Sequence, residues 1–262
     1  MLVLKAWVLG VVEGVTEFLP VSSTGHLIVA SVVVDYPQAS RATFEIFIQL
    51  GAILAIVWHF RRHLFAVVAH AGTDPVAREL IGKVLVAFVP AAAVGFLFHR
   101  AIEEHLFSPA VVAMSLILGG VVIIAVEWRP WRFDVHVIER TGWRHAVWVG
   151  IAQVLSLIPG VSRAGATIIG GMVAGLDRPV ATQFSFYLSI PTMFAASVYS
   201  LLKARHLLSA GDVAPLAAGF VAAFVSALLV VRAFIAFVQR HPLTVFGYYR
   251  IAVGLVILVR LA

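Results

Sequence analysis

The chain has 262 residues, of which 61% are hydrophobic and only 12% charged, with a mean hydropathy of +1.01. An average soluble domain is nearer ~45–50% apolar and ~25% charged, so a soluble enzyme, a disordered chain and a fibrous repeat are excluded, and an integral membrane protein is left. The net charge of +6 comes from arginines clustered between apolar runs, which reads as positive loops that orient helices, with no nucleic-acid partner; the lack of cysteine removes disulfides, thiolate metal sites and a cysteine nucleophile.

The N-terminal residues carry one lysine and then apolar side chains, and Glu13 and Glu17 follow without a small-residue cleavage site, so no removable signal peptide is expected. The first apolar stretch, 2–34, is broken by Pro20-Val21-Ser22-Ser23-Thr24-Gly25. Two half-length apolar pieces around a polar, turn-forming centre predict a re-entrant helical hairpin, tolerated at membrane depth only where protein or water satisfies the backbone. Three runs long enough to span follow, at 42–60, 79–98 and 109–126. Arg61-Arg62-His63, Gly72-Thr73-Asp74-Pro75 and Glu103-Glu104-His105 punctuate them. After a polar stretch, 127–144, residues 143–175 form a second broken segment, interrupted by Pro159-Gly160-Val161-Ser162-Arg163, and three more runs follow at 180–202, 213–238 and 243–261.

The two broken segments resemble each other. With one residue of gap, Gly10 matches Gly150, Glu13 matches Gln153, Pro20 matches Pro159 and Ser23 matches Ser162. A hairpin returns to its own side and three spans cross an odd number of times, so the second half is expected to be inverted. The prediction is an all-α integral membrane protein, six transmembrane helices plus two re-entrant helical hairpins in an inverted-topology repeat. It is one membrane domain, 1–262, with a first repeat at 1–127 (hairpin 2–34) and a second at 143–262 (hairpin 143–175). Such repeats place the site where the broken helices meet. Arg61, Arg62, Arg78, Arg129, Arg132, Arg140, Arg144, Arg178 and Arg240 would lie on one side, and Lys5, Arg41, Arg100, Lys203, Arg205 and Arg260 on the other, nine against six. This bias puts both termini outside the cytoplasm.

Ionisable groups inside apolar segments are functional candidates by default. Glu13 and Glu17 are four apart and share a helix face; two such carboxylates repel each other, which a divalent cation, a shared proton or an opposing arginine relieves. Oxygen donors suit Mg²⁺ or Ca²⁺, so Glu13 and Glu17 are the candidate metal ligands. Ser22, Ser23 and Thr24 precede the second half of the first hairpin, and Ser162 precedes that of the second, with Arg163 and Thr167 beside it. Helix N-termini with hydroxyl caps favour phosphate, and arginine grips phosphate with a bidentate fork. These six residues, Ser22, Ser23, Thr24, Ser162, Arg163 and Thr167, are the candidate diphosphate-binding set. His26, three residues after Ser23, is a candidate nucleophile or general acid–base group. Gly10 and Gly14 form a small-xxx-small pair suited to close helix packing, and the histidines at span ends, such as His59, His63, His70, His99, His105 and His206, are read as interfacial.

The motifs Glu13-Gly-Val-Thr-Glu17-Phe-Leu-Pro-Val-Ser-Ser-Thr-Gly-His26 and Pro159-Gly-Val-Ser-Arg163-Ala-Gly-Ala-Thr167 closely resemble the two signatures of the undecaprenyl pyrophosphate phosphatases, the bacitracin-resistance membrane phosphatases. The resemblance extends to Phe44-Glu-Ile-Phe-Ile-Gln49-Leu-Gly51-Ala and Phe184-Ser-Phe186, and so to essentially the whole chain. It implies hydrolysis of undecaprenyl diphosphate to the monophosphate and inorganic phosphate, recycling the carrier lipid of cell-wall synthesis. It also implies a divalent-metal requirement, a bacterial inner-membrane location and an active site facing the periplasm. By the same resemblance Glu17, Ser23, His26 and Arg163 form the catalytic set. One departure is that Ala164 stands where the family usually has serine after the arginine, so a role for that hydroxyl does not carry over. His26 would attack the terminal phosphorus or protonate the leaving oxygen. The partners expected are the lipid diphosphate, membrane lipid and a second copy of the chain as a homodimer. The competing reading is a transporter or lipid flippase, in which Glu13 and Glu17 carry protons.

Overall fold

The computed structural model describes residues 1–204 and 210–261; Arg205 and His206, counted above, lie outside the described residues, as does the side chain of Lys203. The described chain is all-α. It runs α1 (Leu2–Thr16), α2 (Ser23–Val33), α3 (Gln38–His70), α4 (Pro75–Leu106), α5 (Pro109–Trp128), α6 (Trp143–Val154), α7 (Arg163–Ala174), α8 (Arg178–Ala204), α9 (Val213–Val238) and α10 (Thr244–Leu261).

Local chemistry sets several of these ends. Asp74 caps α4 by accepting from Val76 N at 2.9 Å, and Ser108 caps α5 by accepting from Val111 N at 3.3 Å. Both helices then begin with proline, whose missing N–H costs nothing in the first turn. Gly175, at φ 109°, ends α7 in the left-handed conformation.

Five helices, α3, α4, α5, α8 and α9, contain stretches long and apolar enough to cross a membrane. The remaining long helix, α10, carries Arg250 in its middle and is not among the five. Two helices outrun the apolar runs read from the sequence. α3 has 33 residues and α4 has 32, about 50 Å each at 1.5 Å per residue, well beyond the ~30 Å hydrocarbon core. Arg61, Arg62 and His63 therefore lie within α3, and His105 in the last turn of α4, where loops had been expected. Large apolar side chains such as Trp7, Trp58, Phe65, Phe96, Leu97 and Val259 are exposed on the outside, as a lipid-facing surface requires.

The broken segments fold as helix–turn–helix pairs. α1, α2, α6 and α7 have 15, 11, 12 and 12 residues, each shorter than the ~17 residues a single crossing takes. α1 lies along α9 and α6 lies along α4, while α3 packs on α9 and α8 on α4. The contacts of one half are thus mirrored by the other, each hairpin resting on the middle long helix of the opposite half. Both rest backbone to backbone. A Cβ on Gly10 would meet Gly219 O, one on Gly14 would meet Ala223 O, and one on Gly150 would lie 2.7 Å from Ala87 O. The small-residue pair read at Gly10 and Gly14 does this packing.

Candidate active site

The two hairpin turns share one backbone geometry. Ser22 has φ 70° and ψ 98°, and Ser162 has φ 72° and ψ 118°. Non-glycine residues rarely take positive φ, and each such position costs ~1–3 kcal/mol that the surroundings must offset. Ser22 and Ser162 are the N-cap residues of α2 and α7, and Ser162 Oγ accepts from Gly165 N at 3.1 Å. By position at the helix starts, Ser22 matches Ser162 and Ser23 matches Arg163, whereas the residue string pairs Ser23 with Ser162.

In that register the first residue of each second helix reaches the same carboxylate. Ser23 Oγ donates to Glu17 Oε2 at 2.5 Å, and Arg163 Nη2 donates to Glu17 Oε1 at 3.1 Å. Both members of the ion pair are almost wholly buried. Arg163 is held from several sides: its Nη1 donates to Ser185 O at 3.3 Å and to Ser185 Oγ at 3.4 Å, and its guanidinium carbon lies 5.4 Å from the centre of the Phe18 ring. Its Nε–H is buried and has no partner among the described residues.

This cluster borders a cavity of about 190 Å³. Glu17, Ser22, Ser23 and Thr24 line it from the first hairpin and Ser162 and Arg163 from the second; Gln49, Ser156, Thr192 and Met193 complete the wall. Hydroxyls, one guanidinium and two helix N-termini converge on one small volume, an arrangement suited to a polyanion.

Three residues singled out from the sequence are not on that wall. Glu13 lies one turn before Glu17, 2% exposed, in the buried face of α1. Thr167 is fully buried, and its Oγ1 donates to Arg163 O at 2.8 Å and lies 2.6 Å from Ser185 Oγ, so it supports the serine that holds Arg163. His26 is not among the residues that line the cavity. Its Nδ1 lies 2.8 Å from Ser22 O and its Nε2 2.7 Å from Tyr249 Oη, with the two rings stacked. A carbonyl only accepts, so Nδ1 carries the proton, and in the neutral ring Nε2 accepts from the tyrosine. With both nitrogens occupied, His26 links the strained Ser22 turn to Tyr249 of α10. Ala164 is fully buried and is not on the cavity wall.

Among the described residues no group of three or more His, Cys, Asp or Glu side chains could hold a metal. Glu17 and Glu13, one turn apart at the end of α1, offer two carboxylates, and both oxygens of Glu17 are already engaged by Ser23 and Arg163.

Gln153 was given no role from the sequence beyond its match to Glu13, and Thr192 and Arg250 were passed over. Gln153 occupies the position matched to Glu13, is fully buried, and accepts from Thr192 Oγ1 at 3.3 Å. Arg250 sits in the middle of the apolar run 243–261, whose other cation, Arg260, is at its end, and a mid-run cation is itself the signal that should have flagged it.

The chain is similar to known proteins along nearly its whole length. The family described as bacitracin resistance protein BacA matches residues 6–256. The undecaprenyl-diphosphatase of Nitrosospira multiformis is 49% identical over 258 residues, covering 98% of this chain and 94% of that protein. Undecaprenyl-diphosphatase 2 of Rhodospirillum rubrum is 51% identical over 259 residues, with the same coverage. The Aromatoleum aromaticum undecaprenyl-diphosphatase is 48% identical over 253 residues, 97% of this chain and 92% of its own length. Matched along nearly its whole length, the chain belongs to the bacitracin resistance protein BacA family.

Proposed function

We propose that the protein hydrolyses undecaprenyl diphosphate to undecaprenyl phosphate and inorganic phosphate, returning the carrier lipid to cell-wall synthesis and so conferring bacitracin resistance. The observation that carries this reading is the single carboxylate, Glu17, shared by a serine at the start of α2 and an arginine at the start of α7. The names of the relatives supply the substrate.

Phosphoryl transfer is catalysed mainly by positioning and charge neutralisation. Arg163 and the N-termini of α2 and α7 hold the terminal phosphate, with the hydroxyls of Ser22, Thr24 and Ser162 around it. Ser23 Oγ, within hydrogen-bond reach of a carboxylate that is oriented by an arginine, has the arrangement of an activated nucleophile. Glu17 takes the Ser23 proton as Oγ bonds to the terminal phosphorus, and the bridging oxygen leaves with undecaprenyl phosphate. Glu17 passes that proton to the departing lipid phosphate. Water then attacks the phosphoserine, giving its proton to Glu17 and freeing inorganic phosphate as Ser23 is reprotonated. A divalent cation, Mg²⁺ or Ca²⁺, held by Glu17 and Glu13, would supply further neutralisation of the diphosphate charge.

The prenyl chain would occupy an apolar cavity of about 250 Å³ between α3, α4 and α8, lined by Leu64, Leu80, Val84, Ile190 and Phe194 among others. It lies against the stretch of α8 that carries Thr192 and Met193 to the polar cavity. The two halves form an inverted repeat whose hairpins re-enter a bacterial inner membrane, with the site open to the periplasmic face.

The test is phosphate release from undecaprenyl diphosphate by protein in detergent micelles, where no gradient exists, with undecaprenyl phosphate identified by mass. Release without a gradient supports a hydrolase. Folded protein that releases none would move the reading to transport, with Glu13 and Glu17 as proton carriers.

A further inference from the structure

Arg250 is almost completely buried at 1% exposure, the largest side chain hidden to that degree. No carboxylate pairs with it among the described residues. Its five N–H groups are instead spent on backbone carbonyls. Nε donates to Leu116 O at 3.3 Å, Nη1 to Pro20 O at 3.1 Å and Val161 O at 2.9 Å, and Nη2 to Ser115 O at 3.1 Å and Gly160 O at 2.9 Å. Pro20 belongs to the turn that starts α2, and Gly160 and Val161 to the turn that starts α7. One guanidinium on α10 therefore ties both turns to each other and to α5.

We propose that Arg250 is a positioning residue for the hydrolysis. By holding the carbonyls of Pro20, Gly160 and Val161, it enforces the positive-φ backbone at Ser22 and Ser162 and so brings Ser23 and Arg163 to opposite oxygens of Glu17.

Three features support this over simple packing. The peptide unit is planar, with C=O and N–H on opposite sides, so drawing the Val161 carbonyl toward Arg250 turns the Ser162 N–H away from it. Apart from the Glu17–Arg163 pair and the Phe18 contact, whose placement is what needs explaining, the turns meet through Ser162 Oγ at 3.5 Å from Leu19 O, so a third group that holds the backbone of both adds to their relative placement. Space for the guanidinium is also reserved: a Cβ on Gly119 of α5 would collide with Arg250 Nη2. A planar fork with five donors is the one side chain that can serve five carbonyls at once. Lysine keeps the charge but has three donors on one atom and cannot reach both turns.

This inference rests on the proposed hydrolase reading, and the assay separates the two. Full-length wild type, Arg250→Lys, Gly119→Ala and the core control Leu216→Ala are purified in detergent. Steady-state phosphate release is measured against undecaprenyl diphosphate concentration, per folded molecule by size exclusion, beside the melting temperature. Wild type without release fails the hydrolase reading itself. With active wild type, the proposal expects kcat to fall roughly 100-fold in Arg250→Lys, as for a misplacement of about 1 Å, with KM within about threefold. Gly119→Ala, which keeps Arg250 but displaces its guanidinium, should show the same split, while Leu216→Ala melts earlier with kcat unchanged. If Arg250→Lys or Gly119→Ala lowers melting only and keeps wild-type kcat, the positioning role is overturned. If neither can be recovered folded, Arg250 is a structural keystone and the proposal is likewise overturned.

Discussion

Replacing Arg163 with methionine removes the charge at nearly constant volume and leaves Glu17 buried without its cation. The pair is 3.1 Å apart, with 10% and 7% side-chain exposure. At an effective dielectric of 20 the attraction at that separation is about 5 kcal/mol, and breaking a buried pair from one side typically costs ~3–5 kcal/mol. For a chain of this size that corresponds to a fall in melting temperature of roughly 6–20 °C. Neutralising both partners avoids the orphaned charge, so Arg163→Met/Glu17→Gln should regain most of that loss. Activity should not follow stability. Removing one preorganised charge-stabilising donor costs roughly 10²–10³-fold, and the double variant should remain as inactive as the single one. The assay is detergent thermal denaturation beside phosphate release for wild type, both single variants and the double. A double variant no more stable than Arg163→Met, or an Arg163→Met protein with wild-type turnover, would refute the buried-pair reasoning.

Other outcomes follow from the same geometry. Ser23→Ala removes the hydroxyl that donates to Glu17 at 2.5 Å and should abolish turnover while lowering the melting temperature by roughly 3–12 °C, since a hydrogen bond to a charged group is worth ~1.5–3 kcal/mol; rapid quench with labelled substrate should capture phosphoserine in wild type only. His26→Gln should keep measurable hydrolysis, within roughly tenfold, because one supporting hydrogen bond is worth about a decade at most. Turnover lost as completely as in Ser23→Ala would return His26 to the chemistry. Chelation with EDTA should suppress release and added Mg²⁺ or Ca²⁺ restore it, with Glu13→Ala shifting the half-maximal metal concentration upward; release indifferent to EDTA would remove the cation from the account.

Much of the architecture was legible because the membrane makes it so. Apolar runs must become helices, and a Pro-Gly-Ser interruption in a half-length run must become a turn that protein satisfies. Helix ends were less legible. Arg61 and Arg62 look like loop residues, yet α3 continues through them, since a helix leaving the bilayer has no reason to stop at its first charge. At the site, Glu17, Ser23 and Arg163 were readable from motif chemistry, but their meeting on one carboxylate was not. The register depends on backbone angles at Ser22 and Ser162 that a residue string does not display. The contact of His26 with Tyr249 was not legible, because the two lie 223 positions apart. Arg250 was passed over because its partners are carbonyls, which every residue carries, so composition gives no sign of them.

The most direct test of the central claim is phosphate release from undecaprenyl diphosphate by wild type and Glu17→Gln, purified side by side in detergent without any gradient. The account predicts one inorganic phosphate per lipid from wild type and none above background from Glu17→Gln. Folded wild type that releases no phosphate, or a Glu17→Gln protein that matches it, would contradict the account.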